Sequence, residues 1–369
     1  MKIILHIIRF VVGVLFIFSG LIKANDPLGL SYKMQEFFEV WNMTIFNDAT
    51  LVFSILMIAF EIIAGVAVLL GWNFKLFSWL LFLLIVFFTF LTGYAVLSGK
   101  IRECGCFGDC IKLTAEQSFA KDLVLFVLIS FLLIKRKSIR PIFSNSISIF
   151  FLVLVTTGSF AMQVYVLGHL PYVDCLPYKK GSDIQEGMKA PIGSIPDSTV
   201  IKFIYTKEGK EVEFDAEHFP ADFNDTTYTF VKRYDKLIRE GNAKPPIKDF
   251  VILSPTGNDT TQAILSDPRE QYVLFIKNMD ANLTWVKDFR EVVNMAAKKE
   301  IPLSIITSDY DKVVNFLHDE NLVVTVYKGD VVAIKTAARS TPTLYMLQQG
   351  VILNKWGRLD LKKAVSNYY

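Results

Sequence analysis

Residues 51–70 read LVFSILMIAFEIIAGVAVLL, twenty positions with a single charge, Glu61. A helix of that length rises about 30 Å, the thickness of a bilayer's hydrocarbon core, so the stretch predicts a transmembrane helix. Ile3–Ile22 before it, Leu76–Leu97 after it and Ile147–Leu167 further on meet the same test. Phe119–Ile134 is shorter and carries Lys121 and Asp122 at its head, but charges at one end can reach the interface, so it counts as a span. Ile3–Ile22 has Lys2 in front and Ser19-Gly20 near its end, yet it lacks an A-x-A-like cleavage site and further spans follow. It reads as a retained helix, the first of five.

Composition agrees. Of 369 residues 52% are hydrophobic and 31 are Phe, and charge is sparse up to Leu170 but ordinary after Tyr178. That asymmetry predicts two parts in two solvents. A net charge of +3 without a long basic run argues against nucleic acid as a partner, leaving the lipid bilayer as the first one. The densest short-loop basic cluster is Lys135, Arg136, Lys137 and Arg140, which the positive-inside rule assigns to the cytoplasm. Alternation then places residues 24–50, residues 98–118 and everything after Leu167 outside. The expected location is a bacterial cytoplasmic membrane, with the C-terminal domain in the periplasm.

All four cysteines fall in that external compartment, three in Cys104-Gly105-Cys106-Phe107-Gly108-Asp109-Cys110 and the fourth at Cys175. Four cysteines in an oxidising compartment allow three full pairings. In one reading Cys104 and Cys106 are the catalytic pair: a Cys-x-Cys bridge closes a small strained ring, and strained disulfides are the labile ones. Arg102 and Lys112 supply positive charge to a thiolate, and Cys110 and Cys175 resolve or staple. In the other reading the disulfides are static staples. Spacing alone leaves both open. It fits neither a zinc nor an iron–sulfur pattern well, so no metal is expected.

The end of the first span, Phe18-Ser19-Gly20-Leu21-Ile22-Lys23, the pattern Glu61…Gly65…Gly71 and the Cys104–Gly108 loop resemble the DoxX-like family, and within it the methylamine-utilisation MauE branch. The resemblance covers Met1 to about Lys137. It implies a four-helix membrane bundle, to which this chain adds a fifth span, and a link to maturation of disulfide-rich periplasmic enzymes. Such bundles are compared with quinone-linked thiol oxidases, so the resemblance also implies quinone as an electron acceptor; no other cofactor is indicated.

Glu61, in mid-membrane, must be paired, protonated or beside water. It is either a proton relay or quinone ligand, or else half of an Arg9–Glu61 pair that fixes helix packing. Lys23 and Asp26 read as interface residues, and Asp122 as a charge at a helix start.

After the fifth span, Val200–Tyr205 and Val212–Phe214 predict a hairpin about Lys207-Glu208-Gly209-Lys210. Gly241–Pro246 reads as a boundary. Beyond it come strand Tyr272–Ile276, helix Val286–Lys299, strand Leu303–Thr307, a helix near Asp311–His318, hairpin Thr343–Leu347/Val351–Trp356 and helix Leu359–Asn367. This order resembles the thioredoxin fold, with Ser340-Thr341-Pro342-Thr343 where thioredoxins carry a cis-proline. The expected fold class is therefore a membrane all-α bundle followed by an α/β thioredoxin-like soluble domain. Its parts are residues 1–140 (four spans), 141–170 (fifth span), 171–245 (a small β-containing spacer) and 246–369 (thioredoxin-like).

Where thioredoxins have Trp-Cys-x-x-Cys, this chain has Lys277-Asn278-Met279-Asp280-Ala281-Asn282-Leu283-Thr284-Trp285. With no sulfur there, the domain does no dithiol chemistry itself. Asn282 or Thr284 is expected to cap the next helix, and the surface around Asp280, Trp285, Thr341 and Pro342 to contact a client or the Cys104–Cys110 loop. Two functions remain: a membrane thiol–disulfide redox or accessory protein acting on extracytoplasmic clients, and a non-enzymatic envelope assembly protein with structural disulfides. A transporter is disfavoured, since five spans without inverted repeats do not resemble a transport pathway.

Overall fold

The computed structural model describes residues 2–101, 105, 107–195, 198–216, 218–224, 226–239, 241, 243–279 and 283–366. The N-terminal part is helical: α1 (Lys2–Ala24), α2 (Pro27–Val40), α3 (Thr50–Leu70), α4 (Phe74–Ser98), α5 (Ala115–Ile134) and α6 (Asn145–Gly168). Five of them, all except α2, are long and apolar enough to cross a membrane, as the hydropathy of the chain predicts.

Helix ends follow local chemistry. Gly71, at φ +70°, closes α3 in the left-handed conformation that glycine adopts without strain. Thr114 and Gln117 form a reciprocal capping box at the start of α5. The segment between the first two spans is not the expected loop. Asp26 caps α2 by accepting from the Gly29 N–H, Pro27 fills the first helical turn, and Leu30 and Phe37 are buried against the bundle.

The antiparallel helices α1 and α3 touch backbone to backbone. A Cβ on Gly65 would lie 2.8 Å from the Gly13 carbonyl oxygen, and one on Gly20 would lie 3.3 Å from the Ile62 nitrogen. Without glycine at these positions the helices could not approach so closely, which is how small residues serve packing within lipid. This contact fixes the register of every polar group on the two helices.

The C-terminal part holds two sheets. After the short helix α7 (Ile184–Gly187), β1 (Ser198–Lys207), β2 (Lys210–Asp215) and β3 (Tyr228–Arg239) form an antiparallel sheet in the order β2-β1-β3. The β1–β2 hairpin agrees with expectation; β3 was not anticipated. An aromatic cluster gives this sheet a face of its own, with Tyr205 stacked 5.3 Å from Phe214 and edge-on to Phe223 at 5.1 Å.

The second sheet comprises β4 (Ile252–Leu253), then past α8 (Thr261–Leu265) β5 (Gln271–Ile276), past α9 (Val286–Lys298) β6 (Leu303–Thr307), past α10 (Tyr310–Asp319) β7 (Thr325–Gly329), and past α11 (Val331–Ala337) the hairpin β8 (Thr343–Gln348) and β9 (Val351–Trp356), closed by α12 (Leu361–Ser366). Its order is β4-β7-β6-β5-β8-β9, with β5, β6 and β7 parallel and β4, β8 and β9 antiparallel to their neighbours. Every residue of β5 is buried, because both faces of the sheet are covered. Tyr272 and Leu274 pack towards Phe289 of α9 and Leu361 of α12, while Val273 and Phe275 face Ile334 of α11. Tyr178 and Ile184 join that second core, and the Gly181 and Ile184 N–H groups donate to Ile352 and Gly350. The start of the expected spacer thus packs as part of the larger sheet.

Two details depart from expectation here. The N-cap position of α9 is Trp285, without a side-chain cap, so Thr284 does not cap it; Asn282 lies outside the described residues. Trp285 is itself a core residue, 4% exposed and packed on Phe289 and Phe316 at 5.7 and 5.6 Å, so it offers no contact surface.

Candidate functional site

Cys110 and Cys175 are joined in a disulfide across 65 residues of sequence. The α5–α6 hairpin places them together, because two crossings return the chain to the end of the bundle from which α4 emerged. The junction is pinned by Asn25, whose side-chain amide donates to the Val173 carbonyl at 2.8 Å and accepts from its N–H at 3.0 Å. Cys104 and Cys106 lie outside the described residues. Gly105 between them is described: at φ +66°, a Cβ there would lie 3.0 Å from Lys33 Cγ, so Gly105 lies against α2. Phe107, next in sequence, meets Phe18 of α1 at 6.0 Å.

Onto this cysteine end docks the turn before β8. Arg339, 7% exposed, forks between two carboxylates, Nε donating to Asp26 at 2.8 Å and Nη2 to Asp109 at 2.5 Å. Asp109 is the neighbour of Cys110. Nη1 donates to the Lys335 carbonyl at 2.7 Å, and the guanidinium lies over the Tyr32 ring, which Lys277 and Lys335 also face. The Ser340 hydroxyl reaches the Leu167 and Gly168 carbonyls at the end of α6. The Thr341–Pro342 bond is cis, with Thr341 half-buried and Pro342 buried. Asp174, beside Cys175, pairs with Lys355 of β9. Each partner of the disulfide therefore has a neighbouring aspartate bound to the sheet domain. Asp280, also expected here, lies outside the described residues.

Burial pushes the Asp26 carboxyl above the ordinary carboxylate range; Arg339 opposes that and the nearby Asp109 adds to it. Burial also works against the Arg339 charge, but Asp26 and Asp109 outweigh it and hold the guanidinium's pKa up. The two shifts describe one crowded cluster: a cation shared by two acids, of which Asp26 is the more easily protonated than a free aspartate.

Inside the bundle, Glu61 pairs with Lys23 and not with Arg9. Lys23 Nζ lies 2.6 and 2.8 Å from the two carboxylate oxygens, both side chains are buried, and Ser19 donates to the same carboxylate at 3.2 Å. The glycine contacts explain the choice. With Gly13 against Gly65, Arg9 falls at the far end of α3, beside Gly71, where it donates to the Arg140 carbonyl. Lys23 and Asp26, expected to face the interface, are instead engaged in buried ion pairs, Lys23 with Glu61 and Asp26 with Arg339. Asp122, expected at a helix start, is fully buried two turns into α5, bound to Lys121 at 2.6 Å and to the Thr92 hydroxyl at 3.1 Å. A cavity of about 30 Å³ separates the two pairs and is lined by Ser19, Lys23, Glu61, Lys121 and Asp122 beneath Phe107.

Lys23 also borders a far larger cavity, about 460 Å³, walled by α2, α3 and α4. Its lining is overwhelmingly apolar and aromatic, including Phe37, Trp41, Phe60 and Phe88, and Gly105 of the cysteine loop forms part of its rim. Among the described residues no cluster of His, Cys, Asp and Glu could hold a metal.

Sequence reasoning singled out the cysteines and the Thr341–Pro342 turn, and it missed Arg339, Tyr32, Asp109 and the role of Lys23. Asp26-Pro27 was the readable signal, a helix-start pair that announces α2. Residues 1–135, which take in α1 to α5 and the three loop cysteines, match the model of a family described as Methylamine utilisation protein MauE. Residues 199–240, the β1–β3 sheet, match a family described as a domain of unknown function (DUF8463). No curated protein and no solved structure matches the chain.

Proposed function

We propose that this membrane protein carries out, or assists, thiol–disulfide exchange on protein clients outside the cytoplasm, with Cys104 and Cys106 as the exchanging pair and a lipid-soluble quinone as electron acceptor. The observation that carries the reading is the position of the Cys104–Cys110 loop. Of its described residues, Gly105 borders a large membrane cavity and Asp109 binds Arg339 of the docked soluble domain. The MauE-type membrane part supports a role in a redox or electron-transfer pathway.

The sheet domain is, in this proposal, a thioredoxin-like module that has lost its own cysteines. The run β7-β6-β5-β8-β9, the helix α9 after β5 and the cis Thr341–Pro342 bond ahead of β8 support that reading. The turn a redox-active relative would turn towards a client is here pressed against the bundle, as a positioning clamp. The basic cluster Lys135–Arg140 follows α5, at the end opposite the cysteines, which supports a periplasmic site for the latter.

Redox titration of the purified protein, with mass-spectrometric mapping of each cysteine, tests the proposal. Cys104–Cys106 is expected to open well above about −300 mV, the level below which structural disulfides resist reduction, while Cys110–Cys175 stays closed. If neither bridge opens in that range, the alternative stands: an envelope assembly protein with static disulfides. The Cys110–Cys175 bond, braced by Asp109–Arg339 and Asp174–Lys355, is the observation that favours this second reading.

A further inference from the structure

The β1–β3 sheet takes no part in the site described above, and it ends in a long edge. In the order β2-β1-β3 the outermost β3 has 12 residues, Tyr228–Arg239, against 6 in β2. Among the described residues no strand pairs with its outer side. Such an edge presents a row of backbone donors and acceptors, which proteins commonly blunt with proline or by keeping the strand short. β3 is long and contains no proline. Its pairing with β1 skips Val231 and Ile238, two exposed bulge residues, and runs unbroken between them over Lys232–Leu237. That window has the length of an ordinary strand.

The side chains beside the window specify what would pair with it. Glu213, Ile204 and Lys232 form one row across the sheet, and Val212, Tyr205 and Phe230 form the next, on the opposite face. In the first row Glu213 is engaged by Lys202 at 3.3 Å and by the Tyr234 hydroxyl at 2.8 Å, whereas Lys232 stands exposed at the open end. In the second row the aromatic cluster runs from Phe214 through Tyr205 to Phe230, which lies edge-on to Tyr205 at 5.5 Å and keeps 55% of its surface exposed. One further strand completes both rows if it sets an acid opposite Lys232 and an apolar side chain beside Phe230. β2, which reads Lys210-Glu211-Val212-Glu213-Phe214-Asp215, already meets the other edge of β1 with that alternation. A second copy of β3 fits poorly. The strand carries Lys232, Arg233, Lys236 and Arg239 against Asp235 alone, so antiparallel self-pairing brings like charges together.

We propose that the β1–β3 sheet is a docking module, which adds an extended segment of a partner protein, alternating acidic and apolar residues, to the outer edge of β3 over Lys232–Leu237. Backbone hydrogen bonds supply the affinity, and Lys232 and Phe230 supply the choice of sequence. The inference does not depend on the thiol–disulfide reading and concerns a separate surface.

The test is binding of a fluorescent peptide, Thr-Glu-Val-Glu-Val-Glu-Val-Thr, to the full-length protein in phosphatidylcholine nanodiscs, read by anisotropy and by amide hydrogen exchange. The peptide should bind and slow exchange along β3, and its counterpart with lysine in place of glutamate should bind about tenfold more weakly. Lys232→Glu should reverse that preference. Because a strand pairs through one edge, N-methylation of alternate peptide nitrogens should abolish binding in one register and spare it in the other, a result that needs no change to the protein. No binding of the acidic peptide overturns the proposal. So does binding that survives N-methylation in both registers, since that is adsorption by charge alone. Slowed exchange confined to β2 would mean exchange of that strand and would equally sink the idea. Protection of β3 that grows with protein concentration, without peptide binding, would assign the edge to a second copy and overturn the acidic partner.

Discussion

At the scale of single residues, Arg339 joins the two parts of the protein by binding two carboxylates of the bundle end. It is buried between Asp26 and Asp109, and replacing it strands two carboxylates in a dry contact. Removing one partner of such a cluster costs about 3–5 kcal/mol, far more than the intact cluster contributes to stability. Arg339→Gln is therefore expected to release the sheet domain, seen as faster amide exchange around α2 and as new proteolysis between residues 169 and 180. Arg339→Lys should rescue only in part, since an ammonium group cannot fork to two carboxylates. Asp26 gives the pH dependence. Because burial raises its pKa in the folded protein, its contribution to stability is complete below the ordinary aspartate value near 4 and is lost as pH rises through the raised one. The melting temperature of the wild type should accordingly gain on that of Asp26→Asn as pH falls from neutrality. A relative loss on acidification would show that Arg339, and not burial, governs Asp26.

At the scale of elements, α1 and α3 set the positions of the intramembrane charges through Gly13, Gly20 and Gly65. Gly65→Leu must push the helices apart, because the nearest atom is the Gly13 backbone and cannot rotate away. Overpacking of this kind costs about 1–3 kcal/mol, and separating the helices also lengthens the Lys23–Glu61 contact. Reduced thermal stability in detergent, together with loss of any function that needs Lys23, is the expected result; unchanged stability would mean that α1 and α3 are not held by this contact. The spans themselves were legible, because twenty apolar residues in a row admit few other structures. The Lys23–Glu61 pair was not. Sequence shows that Glu61 needs a partner, but the choice between Arg9 and Lys23 depends on a helix register that only the glycine contacts fix. β3 was hidden for a related reason: its adjacent residues Lys232 and Arg233, on opposite faces and both exposed, break the apolar alternation that marks a half-buried strand. Trp285 was misread because the resemblance placed it at a thioredoxin surface, whereas here it fills the space between α9 and α10.

At the scale of the whole molecule, the soluble domain is fastened at several separate points: Arg339 to α2 and the cysteine loop, Lys335 to Gln35, Ser340 to the end of α6, and Lys355 to Asp174. Docking on so many contacts should be cooperative, so Cys110→Ser/Cys175→Ser is expected to lower the melting temperature of bundle and domain together. Bridging a loop of this length stabilises by about 2–4 kcal/mol. Two well-separated melting transitions in that variant would instead show that the halves are independent. The order of strands and helices in the sheet domain could be read from their alternation, but the docking could not. Arg339, Asp26 and Asp109 are widely spaced along the chain, and nothing in their local patterns links them.

The Cys110–Cys175 bond has one more consequence, which concerns how the protein is made. Between its two sulfurs the chain traverses the bilayer twice, down α5 and back along α6. The bond turns that excursion into a closed covalent hoop. It can form only after the second crossing is complete and Cys175 has arrived on the same side as Cys110. A chain stalled after α5, or one with α6 left out of the membrane, keeps the two thiols on opposite sides and cannot close the hoop. Closure is thus a record, written into the finished molecule, that both crossings were made in the right sense.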